Sequence, residues 1–256
     1  MASSPQLDHV IGIMKDIRSN RPADIREARE VLDQAFSVYP PVSDVTIFEI
    51  DAGGVPCQWI TAPGVPQDRL IIYLHGGAYA TCSPTTHKGL ISRLSLASGA
   101  AALGVDYRLA PEHKFPAAPE DCYEATKWAM LNAASFGGDP NHIAVGGDSA
   151  GGNLAAAVAL MSGDRGAPSL CYQLLLYPVT NHSFDTVSCK ENGEGYLLTK
   201  DSMVWFWDHY LENDEAGESP YASPLQAKYV NSPPPGIVIT AEFDPLRDEG
   251  EGYAQA

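Results

Sequence analysis

The sequence predicts an α/β protein: a mostly parallel central sheet flanked by helices on both faces. Two patterns predict it. Short apolar runs recur at Leu70–Leu74, Ala101–Val105, Ile143–Val145, Leu174–Leu176 and Ile237–Ile239, as strands buried on both faces require. Helical stretches fall between them, near 86–97, 119–132 and 152–162. Strand alternating with helix is the signature of a parallel sheet covered on both sides. Composition agrees. The 256 residues are 45% hydrophobic and 19% charged, a globular balance, and the length suits one large α/β domain or two modest ones.

Taken in order, residues 5–18 place Leu7, Val10, Ile11, Met14 and Ile17 at helical spacing, one apolar face on a polar helix. Residues 23–36 repeat the pattern with Ile25, Ala28, Val31, Leu32 and Ala35, and Tyr39-Pro40-Pro41 ends the helical pair. Val45–Ile50 and Val55–Thr61 flank Asp51-Ala52-Gly53-Gly54, a hairpin signal. The strand–helix alternation follows. Residues 180–220 interrupt it as an insertion, a polar stretch and then an aromatic helix, TKDSMVWFWDHYL. The Pro-rich piece Ser232–Gly236 leads into the last strand. After Asp244 the chain enters what reads as the first turns of a helix and stops, with no Gly or Pro stop signal and no closing strand.

Several function classes are disfavoured at once. A formal net charge of −16 argues against a nucleic-acid partner, which needs a basic footprint. No apolar run approaches the roughly 18 residues of a membrane span, and the N-terminus lacks the unbroken apolar stretch of a signal peptide. A cytoplasmic protein with no membrane or nucleic-acid partner is expected. Cysteines 57, 82, 122, 171 and 189 show no CxxC spacing, and no His stands at a metal-ligand offset, so free thiols and no metal are expected. Asn181-His182-Ser183 matches a glycosylation sequon, without meaning in a cytoplasmic chain. No glycine pattern calls for a dinucleotide, and no cofactor is expected.

Three stretches carry chemistry. In HIAVGGDSAGGNLAAAVALM, the segment Gly147-Asp148-Ser149-Ala150-Gly151 matches G-x-S-x-G, with a strand-like run before it and an Ala-rich helix after it. That is the context of a nucleophile elbow. A sharp strand-to-helix turn strains the Ser149 backbone and exposes its hydroxyl, and glycines two residues away on each side avoid collision. The plainer alternative is a Gly-rich turn with a bystander serine. The second stretch, Leu74-His75-Gly76-Gly77-Ala78-Tyr79, follows a buried strand. Its consecutive glycines let backbone N–H groups face a substrate oxygen, so Gly76 and Gly77, with Ala150, form a candidate oxyanion hole. His75 is expected to hold this loop by hydrogen bonds rather than act as a base. The third is Asp244, just past a strand end, where open α/β sheets present ligands. Glu242, Asp248 and Glu249 crowd nearby and composition does not choose among them. Asp244 is preferred because it follows the strand and Pro245 fixes its turn.

These stretches, with VDYRLAPEHKFPAAPED, LLLYP, SPYASPL and TAEFDPLRDEG, occur in an order that resembles the hormone-sensitive lipase family of serine esterases, bacterial type, with the α/β-hydrolase fold. The likeness covers most of residues 40–256. It implies hydrolysis of short acyl esters through an acyl-enzyme: Ser149 as nucleophile, Asp244 as the acid orienting the base, and Gly76, Gly77 and Ala150 as the oxyanion hole. It implies four segments: residues 1–45 as an N-terminal part of a helical cap, 46–179 as core, 180–220 as a second cap segment, and 221–256 as core continued. Tyr79, Trp205 and Phe206 are candidates for substrate binding. Trp205, Phe206, Trp207 and Tyr210 of the aromatic helix are read as lining an acyl pocket, and packing of the cap onto the core explains such residues equally well. Ala78 departs from the family, which more often has a third Gly there.

The resemblance also implies a His a few tens of residues after the Asp. Only twelve residues follow Asp244 and none is His; the seven histidines, at 9, 75, 87, 113, 142, 182 and 209, all precede it. The sequence is therefore expected to be a shortened esterase whose last strand and helix lie beyond Ala256, weakly active without its base, and able to pair as a homodimer only with the full C-terminus. The alternative is a non-catalytic small-molecule-binding protein on the same scaffold, as in the gibberellin receptors of that family.

Overall fold

The computed structural model describes residues 5–19, 24–36, 39–228 and 233–256. Helices α1 (Pro5–Ser19) and α2 (Ile25–Phe36) lead into a hairpin of β1 (Thr46–Asp51) and β2 (Pro56–Thr61). Asp51 faces Pro56 across the turn, and the Gly54 N–H donates to the Asp51 carboxylate at 2.7 Å. Then follow β3 (Leu70–Leu74), α3 (Pro84–Ser98), β4 (Ala101–Val105), α4 (Ala117–Asn132), β5 (Ile143–Asp148), α5 (Ala150–Arg165) and β6 (Tyr172–Leu176). Beyond β6 come α6 (Val187–Asn192), α7 (Lys200–Tyr210), β7 (Gly236–Ile239) and α8 (Arg247–Gln255).

The seven strands order as β1-β2-β4-β3-β5-β6-β7, antiparallel through β1, β2 and β4 and parallel from β4 to β7. The chain enters the parallel part at β3, steps to one side for β4, and returns past β3 to build β5, β6 and β7 on the other. The order therefore reverses between β3 and β5, and a reversal point opens a crevice at the carboxyl ends of those strands. Both glycine-rich stretches fall there.

The runs expected to be buried on both faces behave so in the centre, where every residue of β3 and β4 is buried. Edge strands differ: β7 lies outermost with Ile237 and Ile239 43% and 46% exposed. Helix α5 is buried from Ala150 to Ser162, because its alanines let it sit close on the sheet. One sequence expectation needs correction. The polar stretch before the aromatic helix contains a helix of its own, α6, capped by the Thr186 hydroxyl, which accepts from the Cys189 N–H at 3.1 Å; a single short turn has no periodicity to read. The helical pattern read over residues 23–36 is seen as α2 from Ile25, and residue 23 lies outside the described residues.

Candidate active site

Ser149 sits between the last residue of β5 and the first of α5 with φ 53° and ψ −119°. A non-glycine residue avoids this conformation unless its surroundings impose it. They do. The Ser149 N–H donates to the Leu176 carbonyl at 2.9 Å, and its own carbonyl accepts from Asn153 and Val179. A Cβ on Gly147 would lie 2.3 Å from the Leu74 carbonyl oxygen, and one on Gly151 only 1.9 Å from it. The two glycines of the motif thus let the elbow press against the end of β3, where the second glycine-rich stretch begins. The Ala150 N–H opens α5 and has no intrahelical acceptor, so it joins the positive end of the helix beside Ser149.

The loop after β3 is held from both sides. The His75 ring is 1% exposed, stacks on Tyr107 at 4.2 Å, and donates through Nδ1 to the Gly76 carbonyl at 2.7 Å. Burial, with His87 nearby, pushes its pKa down to about 3. A ring held neutral and enclosed is a brace, as expected. Gly76 departs from expectation. Its N–H donates to Asp148 Oδ1 at 3.1 Å, and a Cβ there would meet the same carboxylate at 2.3 Å. Its amide is engaged, and its missing side chain makes room for Asp148. Among the described residues no group accepts from the Gly77 N–H, which leaves Gly77 and Ala150 as the donors open to a ligand.

Asp148 is a buried carboxylate that sequence reasoning did not single out. It accepts from the Tyr73 hydroxyl at 2.7 Å and from Gly76, and His87 Nε2 lies 3.5 Å from its Oδ2. Burial alone would raise this carboxyl; the His87, Tyr73 and Gly76 contacts outweigh it and hold the pKa below the usual value. A charged residue in the x position of G-x-S-x-G, after a buried strand, signalled that partners must exist. Their identity, distant in sequence, was not legible.

Asp244 follows β7 after a short turn, accepts from the Leu246 N–H at 2.9 Å, and has its carboxyl raised by burial. Its acidic neighbours separate by role. Asp248 accepts from the Ser188 N–H at 2.7 Å and pairs with Arg247. Glu249, 2% exposed, takes the Thr180 and Asn181 N–H groups. Glu242 is exposed. Asp244 alone combines partial burial with no cationic partner among the described residues.

The histidines with described partners are engaged elsewhere: His87 with Asp148, His142 with Asp139, His182 against Trp207, and His209 with the Trp205 carbonyl. His9 and His113 are exposed. Tyr79 does not line the crevice. It is 2% exposed and stacks on Tyr210 at 3.8 Å, because the left-handed turn at Ala78 and Tyr79, φ 53° and 62°, folds its ring inward beneath α7. Trp205 and Phe206 are half-buried and meet edge to face at 4.8 Å. No group of His, Cys, Asp and Glu suited to a metal occurs among the described residues, and no helix there is long and apolar enough to cross a membrane.

Comparison with known proteins agrees with the fold. A family model described as alpha/beta hydrolase fold matches residues 71–256. The chain is 41% identical over 221 residues to the carboxylic ester hydrolase LipN of Mycobacterium tuberculosis, covering 83% of this chain and 59% of LipN. It is 39% identical to an arylesterase of Saccharolobus solfataricus, over 73% of this chain and 61% of the relative. The chain thus spans about six-tenths of the length of the first curated relatives it matches. Among solved structures, a hyperthermophilic esterase of Pyrobaculum calidifontis superposes with TM-score 0.89 at 40% identity, covering 100% of this chain and 85% of that one. An esterase from the bacterial hormone-sensitive lipase family gives 0.89 at 32% identity, covering 100% and 84%.

Proposed function

The chain belongs to the α/β-hydrolase family, in its hormone-sensitive lipase branch, and on that premise we propose that it is built to hydrolyse short-chain carboxylic esters through an acyl-enzyme on Ser149. The observation that carries this reading is the left-handed Ser149 at the head of α5. Its hydroxyl attacks the ester carbonyl. The Gly77 and Ala150 N–H groups stabilise the oxyanion, a contribution of roughly 3 kcal/mol for each donor. Asp244 is the carboxylate that orients a base. The described parts of residues 1–45, with residues 180–220, form the cap over the crevice, with Trp205 and Phe206 facing the acyl group.

Among the described residues no histidine pairs with Asp244, so these 256 residues by themselves are expected to turn over slowly. Loss of one triad member leaves roughly 10³–10⁴ over water from the oxyanion hole and binding. Retention of Ser149, Asp244 and the glycine-rich loop together supports this reading over that of a non-catalytic binder on the same scaffold, which does not need the full set.

The test is hydrolysis of p-nitrophenyl acetate, together with labelling of Ser149 by a fluorophosphonate read by mass spectrometry. A slow rate and slow labelling, both lost in Ser149→Ala, are expected. Ordinary enzyme rates would refute the impairment. Tight reversible ligand binding without labelling would replace the hydrolase reading by that of a receptor.

A further inference from the structure

The turn that follows the Gly77 donor is strained, and its outer side is held from outside the core. Gly77, Ala78, Tyr79 and Cys82 all have positive φ, at 111°, 53°, 62° and 68°. Three of these are not glycine, and each such residue is expected to cost on the order of 1 kcal/mol. Internal bonds close the turn: the Ala80 and Thr81 N–H groups and the Thr81 hydroxyl all donate to the Gly77 carbonyl. Ala110 donates to the Tyr79 carbonyl at 2.9 Å. Two further backbone groups of the turn, the Ala80 carbonyl and the Cys82 N–H, are bonded by side chains.

Both are satisfied by α2. Arg29 Nε donates to the Ala80 carbonyl at 2.8 Å and Asp33 Oδ1 accepts from the Cys82 N–H at 3.2 Å. Arg29 also donates through Nη2 to the Ala110 carbonyl at 3.1 Å, bridging the two segments that Ala110 and Tyr79 already join. Glu112 fixes the guanidinium with bonds of 3.0 and 3.3 Å. Arg29 and Asp33 stand one turn apart and so share a face. That face is seated by Ile25 and Ala28, 5% and 1% exposed.

We infer that Arg29 and Asp33 of α2 are positioning residues for the oxyanion hole: they hold the 78–82 turn and thereby aim the Gly77 N–H. Asp148 anchors the loop on the other side of that donor, through Gly76. The Gly77 amide therefore hangs between a core anchor and an N-terminal helix, and any displacement of α2 is transmitted to it. The inference rests on the hydrolase reading for its consequence, not for its geometry.

The experiment uses the whole chain with Arg29→Ala, Asp33→Ala and the conservative Asp33→Asn, which keeps an oxygen for Cys82. Amide hydrogen exchange at Ala80 and Thr81 is measured beside that of β3 as a control, and phenylboronic acid, which mimics the tetrahedral intermediate on serine, is titrated against each. In both Ala variants, exchange at Ala80 and Thr81 is expected to rise at least tenfold with β3 unchanged. Boronate affinity is expected to fall roughly tenfold, short of the hundredfold or more that loss of a donor brings. Asp33→Asn should stay near wild type in both. Unchanged exchange at Ala80 and Thr81 in both Ala variants overturns the inference, as does unchanged boronate affinity alongside raised exchange. A wild-type protein that takes no more boronate than Ser149→Ala overturns the hydrolase reading instead, and the exchange data still decide the tether.

Discussion

Glu249 carries a stability effect that a pH series can isolate. Its side chain is enclosed by α8 and the segment leaving β6, with Oε1 accepting from Thr180 at 2.7 Å and Asn181 at 3.3 Å, while the Thr180 hydroxyl donates to the Glu249 carbonyl. Burial pushes the carboxyl up to about 8; the two backbone amides oppose this and the Asp244 charge adds to it. A carboxyl whose pKa is higher folded than unfolded binds its proton more tightly in the folded state. Its contribution is complete below the unfolded value of 4.5 and is lost as pH rises toward 8. The slope over that window is about −1.4 kcal/mol per pH unit, so roughly 4 kcal/mol is lost between about pH 5 and pH 8.

Glu249→Gln keeps the accepting oxygen and removes the titration. Urea unfolding followed by tryptophan fluorescence at several pH values gives both curves, and subtracting them cancels the groups the two proteins share. The variant is expected to gain on wild type steadily as pH rises, by about 4 kcal/mol from about pH 5 to 8 as an order of magnitude. A difference that stays constant across the series would refute the reasoning, because it would place the Glu249 proton loss at the same pH in both states.

Two further predictions come from packing. Tyr210 is fully buried and no group among the described residues bonds its hydroxyl; Tyr210→Phe should stabilise the protein by about 1 kcal/mol by removing an unsatisfied polar atom, visible as a higher urea midpoint. Gly151→Ala would drive a Cβ to 1.9 Å from the Leu74 carbonyl. Because the obstacle is backbone of a central strand, a loss of about 3 kcal/mol or more is expected, read as a lowered melting temperature or failure to recover folded protein.

Much of this molecule could be read along the chain because the information was local. The periods of the apolar runs marked β3, β4 and β5, and the glycines flanking Ser149 marked the elbow, since neither depends on what lies across the sheet. Asp244 was legible by its place after a strand. Tertiary structure decided the rest through groups far apart in sequence. It committed the Gly76 amide to Asp148, because a buried carboxylate requires donors and the nearest belonged to the neighbouring loop. It turned Tyr79 from a pocket residue into a packing one, because two left-handed residues fold its ring under α7. It also placed Arg29 and Asp33, surface residues by their pattern, on the loop that carries Gly77. Local sequence marked the residues proposed to hold the chemistry; only the fold decided which of their polar atoms found partners, because buried polar groups take whatever partner the packing brings within reach.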